Sequence, residues 1–198
     1  MSDPVIALIV FLFPFAYSPG PGNMVFAANG ARFGFRATMA AHAGYHVATW
    51  IVTVAIGFGF AEVLQGLPRI LTVIQWGGSA YVLYLAWRCL RSGAISAAPD
   101  AAPIGFSEGV ILLVLNPKAY LIIALMFSRF LTTTDTGERL AVIVLSTLFT
   151  LNNLMAFVAW TILGDRIAAR FRDDGHARKL NLFFGMMLAG VAGWMLLG

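Results

Sequence analysis

Charge is scarce in this chain. Asp, Glu, Lys and Arg make up 11% of its 198 residues, where a soluble domain carries about 25%. It holds one cysteine, Cys89, which excludes an intramolecular disulfide and any dithiol redox chemistry. Carboxylates are missing from the middle of every long apolar run, since Glu62 and Glu108 fall near run ends. No basic residue stands in Met1-Ser2-Asp3-Pro4 ahead of the first run, so that run is expected to belong to the fold rather than to a cleaved leader. What remains is apolar: hydrophobic residues are 60% of the chain and the mean hydropathy is +0.83. The runs are continuous and long enough to cross a bilayer, roughly 20 residues each. Their continuity excludes a β-barrel, which needs alternation. An all-α integral membrane protein is expected.

Charges and breakers divide the chain into six apolar segments, about 4–33, 37–61, 68–90, 106–131, 139–164 and 178–197. The first would be about 45 Å long as one helix, more than a crossing needs. It is interrupted by Pro19-Gly20-Pro21, and the fourth by Asn116-Pro117-Lys118. The long polar connection, 92–103, is rich in Ala, Ser and Pro and lies near the middle. Each half thus carries three spans, the first of them broken: repeat one is 1–91, a linker 92–105, repeat two 106–198. Two repeats with an odd number of spans must enter the membrane from opposite sides, which makes them inverted repeats in a single transporter domain.

The positive-inside rule agrees with this count. The first, third and fifth connections hold Arg32, Arg36, Arg88, Arg91, Arg166, Arg170, Arg172, Arg178 and Lys179, and the opposite side only Arg69, Arg129 and Arg139. Both termini are therefore expected outside the cytoplasm. The net charge of +4 reads as topology information and not as a nucleic-acid surface.

Paired Pro/Gly interruptions in corresponding segments point to a transport site at the breaks. A proline fits the first turn of a helix, where its missing N–H is not needed. Asn116 can cap a half-helix that starts with Pro117 and Lys118, and Ser18 or Gly20 one that starts at Pro21. Two helix N-termini, one from each repeat, would then meet deep in the membrane as an anion site. Lys118 adds a cation that is costly at that depth and has no fixed carboxylate nearby. Against this, its ammonium could bond to backbone carbonyls freed by the prolines.

Other polar groups lie within the spans. His42 and His46 share a face of the second, opposite a ridge of Ala40, Gly44 and Ala48 suited to close helix contact. Gly30 and Gly34 form a similar small-residue pair. Ser146, Thr150 and Asn153 share a face of the fifth span with Asn152 alongside, and Asn23 and Asn29 follow the first break. The histidines could serve interhelical hydrogen bonds, protons, substrate or a metal. They lack the Glu of His-Glu-x-x-His and a third ligand, so no metal or cofactor is expected. No Gly-x-Ser-Gly loop supports an intramembrane protease.

The stretch from Ser18 to Met24, Ser-Pro-Gly-Pro-Gly-Asn-Met, resembles the Pro-Gly-Pro-x-Asn/Met signature of the LysE/RhtB family of amino-acid exporters. Gly77 through Arg88 is similar to that family's third span, and Phe106 through Tyr120, with its Asn-Pro-Lys, to the fourth. The likeness runs in order over nearly the whole chain. It implies a multi-pass protein of the cell inner membrane that exports a small amino acid or derivative by proton antiport. The motif residues are Gly20, Pro21 and Asn23 in one half and Asn116, Pro117 and Lys118 in the other, with Asn153 added from the fifth span. Position 22 is glycine where many members carry Asp, Asn or Gln, which argues for a neutral rather than cationic substrate. His42 and His46 are the proton-coupling candidates by elimination. A metal-cation exporter built on those two histidines is the rival reading. The oligomeric state stays open, a homodimer included.

Overall fold

The computed structural model describes residues 4–91, 102–131, 138–170 and 174–197. These form eight α-helices: α1 (Pro4–Tyr17), α2 (Pro21–Phe33), α3 (Met39–Phe58), α4 (Phe60–Arg91), α5 (Phe106–Val114), α6 (Pro117–Phe130), α7 (Glu138–Ala169) and α8 (Asp174–Leu197). A 3-10 turn, Arg36–Thr38, leads into α3. No strand occurs among the described residues. An all-helical chain satisfies its own backbone, as a membrane without water demands.

Two sharp bends organise the chain. α1 and α2 meet at 63°, and α5 and α6 at 62°. Pro21 opens α2 and Pro117 opens α6. Gly20 is the N-cap of α2, so Ser18 does not fill that position; it instead continues the end of α1, its N–H bonded to the Pro14 carbonyl at 3.1 Å. Gly34 ends α2 with φ 83° and donates its N–H to the Gly30 carbonyl at 2.8 Å. Two continuous described helices, Arg36–Phe58 and Arg139–Ala169, are long and apolar enough to cross a membrane, and the bent pairs raise the number to four if each is one span.

Segment boundaries differ from the sequence reading in places. The third span was expected to begin at 68, but α4 starts at Phe60 and carries Pro68 inside it. Gly59 alone separates it from α3, its N–H still bonded to the Ala55 carbonyl at 3.2 Å. An interior proline forfeits one helical bond, a loss that membrane helices tolerate where neighbouring helices, Ser/Thr side chains or local adjustments satisfy the freed carbonyl. α7 runs past 164 to Ala169, which makes Arg166 helical, and α8 begins at Asp174 rather than 178. The polar connection falls mostly in 92–101, outside the described residues.

α4 packs along α8 and α2 along α7, while α3 lies against both α5 and α7. Two buried clusters result. One joins Met24, Phe26, Tyr45, Leu113, Phe157 and Leu188; the other joins Leu8, Leu12, Ile56, Phe127, Val142 and Phe149. The first therefore draws on α2, α4, α5, α8, the start of α3 and the end of α7, the second on α1, α6, the end of α3 and the start of α7. In lipid such clusters gain packing contact rather than escape from water. The two bends lie between them.

Candidate functional site

The first turn of α6 carries Lys118 to the other break. Its Nζ donates to the Ser18 carbonyl oxygen at 2.8 Å and to Ser18 Oγ at 3.0 Å. The lysine stem lies over Gly20, where an added Cβ would stand 3.0 Å from Lys118 Cδ and 3.1 Å from Nζ. The ammonium thus sits at the C-terminal end of α1, the negative end of that helix dipole. The carbonyl it uses belongs to the opposite break, so the lysine ties the two interruptions together.

Asn23 does a similar service. Its Nδ2 donates to the Ala16 carbonyl at 3.0 Å, satisfying another carbonyl at the end of α1. Asn116 occupies the N-cap position of α6, yet its side chain makes no capping bond. The expectation that it caps this helix is corrected here: Nδ2 turns to the Tyr45 hydroxyl at 2.9 Å instead. Asn116 Oδ1 is buried and has no partner among the described residues. An amide oxygen left so is costly unless something binds it.

Asn23, Asn116, Lys118 and Asn153 line one small cavity with Tyr45 and Phe157, of about 10 Å³. That is room for about one water. On the other side of Lys118 lies a larger space of about 380 Å³, lined by Pro21, Pro117, Lys118, Leu71, Gln75 and Trp194. Lys118 borders both. The structure thus brings the four polar candidates around one cavity and sets the two break prolines at the other, with Gly20 beneath the lysine.

His42 and His46 stand apart, beside an apolar groove of about 620 Å³ between α3 and α7. His46 Nδ1 lies 2.8 Å from the His42 carbonyl, so that nitrogen carries the proton. Thr161 gives its hydroxyl proton to the Phe157 carbonyl at 2.9 Å, and its Oγ1 then accepts from His42 Nε2 at 3.0 Å. His42 Nδ1 and His46 Nε2 are left buried without a hydrogen bond among the described residues. Each neutral ring therefore keeps one lone pair able to take a proton. No group of three His, Cys, Asp or Glu side chains suited to a metal occurs among the described residues.

Sequence reasoning missed Tyr45 and Phe157. Their rings lie 4.5 Å apart, and Phe157 also meets His46 edge-on at 5.4 Å. Phe157 thus touches both the central cavity and the histidines. At Gly22 an added Cβ would lie 2.8 Å from Phe157 Cζ and 3.3 Å from the Tyr45 hydroxyl. The space of a side chain at 22 is taken by these two rings. A tyrosine next to His46 in an apolar span was the available signal, because a buried phenol needs a polar partner.

Several known proteins are similar to the chain. A cysteine/O-acetylserine efflux protein of Salmonella choleraesuis (strain SC-B67) is 29% identical over 174 residues, 87% of each chain. One of Klebsiella pneumoniae subsp. pneumoniae is 26% identical over 187 residues, 93% of this chain and 92% of its own. That of Escherichia coli (strain K12) is 27% identical over 174 residues, again 87% of each. No solved structure matches significantly. The family model of the LysE type translocators matches residues 13–198. With the match covering nearly all of its length, the chain belongs to the LysE type translocator family and is a membrane transporter, not an enzyme.

Proposed function

We propose that this protein is an efflux permease of the cell inner membrane for a small neutral amino acid or derivative. The observation that carries this reading is Lys118, a cation shared by two cavities whose hydrogen bonds among the described residues go to Ser18. A half-buried ammonium with neutral partners is poised to receive a carboxylate. The substrate carboxylate rests at Lys118 and the N-termini of α2 and α6. Its ammonium is taken by Asn116 Oδ1, which has no other partner among the described residues, and by the faces of Tyr45 and Phe157. No carboxylate lines either cavity, so a second positive charge on the substrate would find no balance. L-cysteine and O-acetyl-L-serine are the substrates to try first, since the similar efflux proteins carry those names.

The chain forms six spans as two inverted repeats, 1–91 and 106–198 with 92–105 as linker, and the Lys/Arg distribution sets both termini outside the cytoplasm. Transport proceeds by alternating access with proton antiport, and the lone pairs of His42 and His46 are the candidate proton acceptors. Their contact with Phe157 gives a route by which protonation alters the central cavity. The decisive test is Lys118→Met in proteoliposomes. Export of radiolabelled L-cysteine or O-acetyl-L-serine should be abolished while the protein stays monodisperse in detergent. Undiminished transport would remove the lysine from the mechanism.

A further inference from the structure

The Lys118–Ser18 tie is a competitor of substrate, not only a feature of the resting fold. We propose that Ser18 is a positioning residue: it holds the Lys118 ammonium on the end of α1 between transport events, and the substrate carboxylate must draw the lysine away from it. This deepens the reading above and rests on it.

The geometry supports the idea in three ways. Both hydrogen bonds of Nζ, at 2.8 and 3.0 Å, go to one residue on the far side of the opposite break. They join the two bent helix pairs, α1–α2 at 63° and α5–α6 at 62°, across their breaks. Lys118 also lines both a small cavity of about 10 Å³ and one of about 380 Å³. The smaller cannot hold an amino acid, so substrate has to displace something in order to reach the asparagines. The lysine side chain is the group that both linings share. Gly20 leaves it a smooth backbone to slide across, because any Cβ there would meet Lys118 Cδ and Nζ.

Ser18 Oγ donates to the Phe15 carbonyl at 3.1 Å, which aims its lone pairs at the ammonium. The hydroxyl is thus itself oriented by α1. Carboxylate and serine compete for the same three ammonium protons. Weakening the serine side therefore strengthens substrate binding, whereas a residue that touched the substrate would do the reverse. The sign separates the two roles.

The experiment is initial-rate transport of radiolabelled L-cysteine under reducing conditions in proteoliposomes, comparing wild type with Ser18→Ala and Ser18→Thr. Losing one hydrogen bond to a charged group should lower KM by about threefold to tenfold in Ser18→Ala. Vmax should fall or stay level, since the empty carrier resets less readily, and Ser18→Thr should restore wild-type KM. A raised KM, or a KM unchanged within twofold, overturns the proposal. If Ser18→Ala does not accumulate, Ser18→Cys replaces it, its thiol being a poor acceptor, with the same required fall in KM. Should wild type transport neither L-cysteine nor O-acetyl-L-serine nor other neutral amino acids, the reading of function itself fails. Should wild type transport and only the KM shift be absent, the function stands and the role of Ser18 falls.

Discussion

Tyr45 is buried among rings but carries a hydroxyl, and its phenol is the acceptor that holds the Asn116 amide off the end of α6. Tyr45→Phe should leave Asn116 Nδ2 without a partner and destabilise the protein by about 1–3 kcal/mol. Thermal unfolding in detergent measures this, and an unchanged midpoint would mean that the amide finds another acceptor at no cost. Gly22 makes a second residue-scale case. The Cβ of Gly22→Ala would press on the far edge of the Phe157 ring, which lines the small cavity. Transport by Gly22→Ala should drop at least severalfold while folding is retained, and Gly22→Ala/Phe157→Leu should recover it by shortening the ring side. Equal transport in the single and double variants would show that the two side chains do not share this space.

At the scale of elements, four glycines let helices meet backbone to backbone. A Cβ on Gly44 would collide with the Phe106 carbonyl and one on Gly109 with the Ala41 carbonyl, which seals α3 to α5. Gly30 faces the Thr161 carbonyl and Gly164 the Ala27 carbonyl in the same manner across α2 and α7. Gly44→Ala should therefore cost about 1–3 kcal/mol from overpacking. Gly190→Ala, where nothing stands within 4 Å, should be neutral or stabilising by up to about 1 kcal/mol. Denaturation midpoints of the two variants, which differ only in position, decide whether the seams carry the effect. The Ala40, Gly44, Ala48 ridge was legible because small residues at one helical spacing have few other uses. Gly34 was not, since its pairing with Gly30 looked like packing and its positive φ as a helix terminator depends on where the chain turns. The start of α4 was hidden for a related reason: Pro68 looks like a boundary until the lipid setting makes an interior proline tolerable. The asparagines and Lys118 stood out as polar residues in apolar runs. Phe157 did not, being one of 16 phenylalanines, and the partners of Lys118 depend on tertiary placement that spacing does not encode.

The whole molecule is unequal along its length. Where Arg32, Arg36 and Arg166 gather, α2 and α5 are sealed by the glycine seams, and Asn29 binds the segments together. Its Oδ1 accepts the Ile104 N–H at 3.1 Å and its Nδ2 donates to Thr38 Oγ1 at 3.0 Å. Nearby the Phe35 N–H donates to Asp165 Oδ2 at 3.3 Å. Toward the other end, α6 leaves the 380 Å³ space bounded by Leu71, Leu121 and Trp194. Of the two cavities that Lys118 lines, the 380 Å³ space is the one large enough to admit an amino acid. On the proposed orientation, which sets the arginine-rich end in the cytoplasm, that space faces the exterior. The prediction is directional. In a Cys89→Ser background, which removes the one native thiol, Leu121→Cys should react with a membrane-impermeant maleimide added outside intact cells. Saturating substrate should slow the reaction by about threefold or more through the occupied cavity or the shifted helices. Labelling from the cytoplasmic face alone would reverse the assignment of the open end. Labelling from outside that substrate leaves untouched would detach this cavity from the transport path.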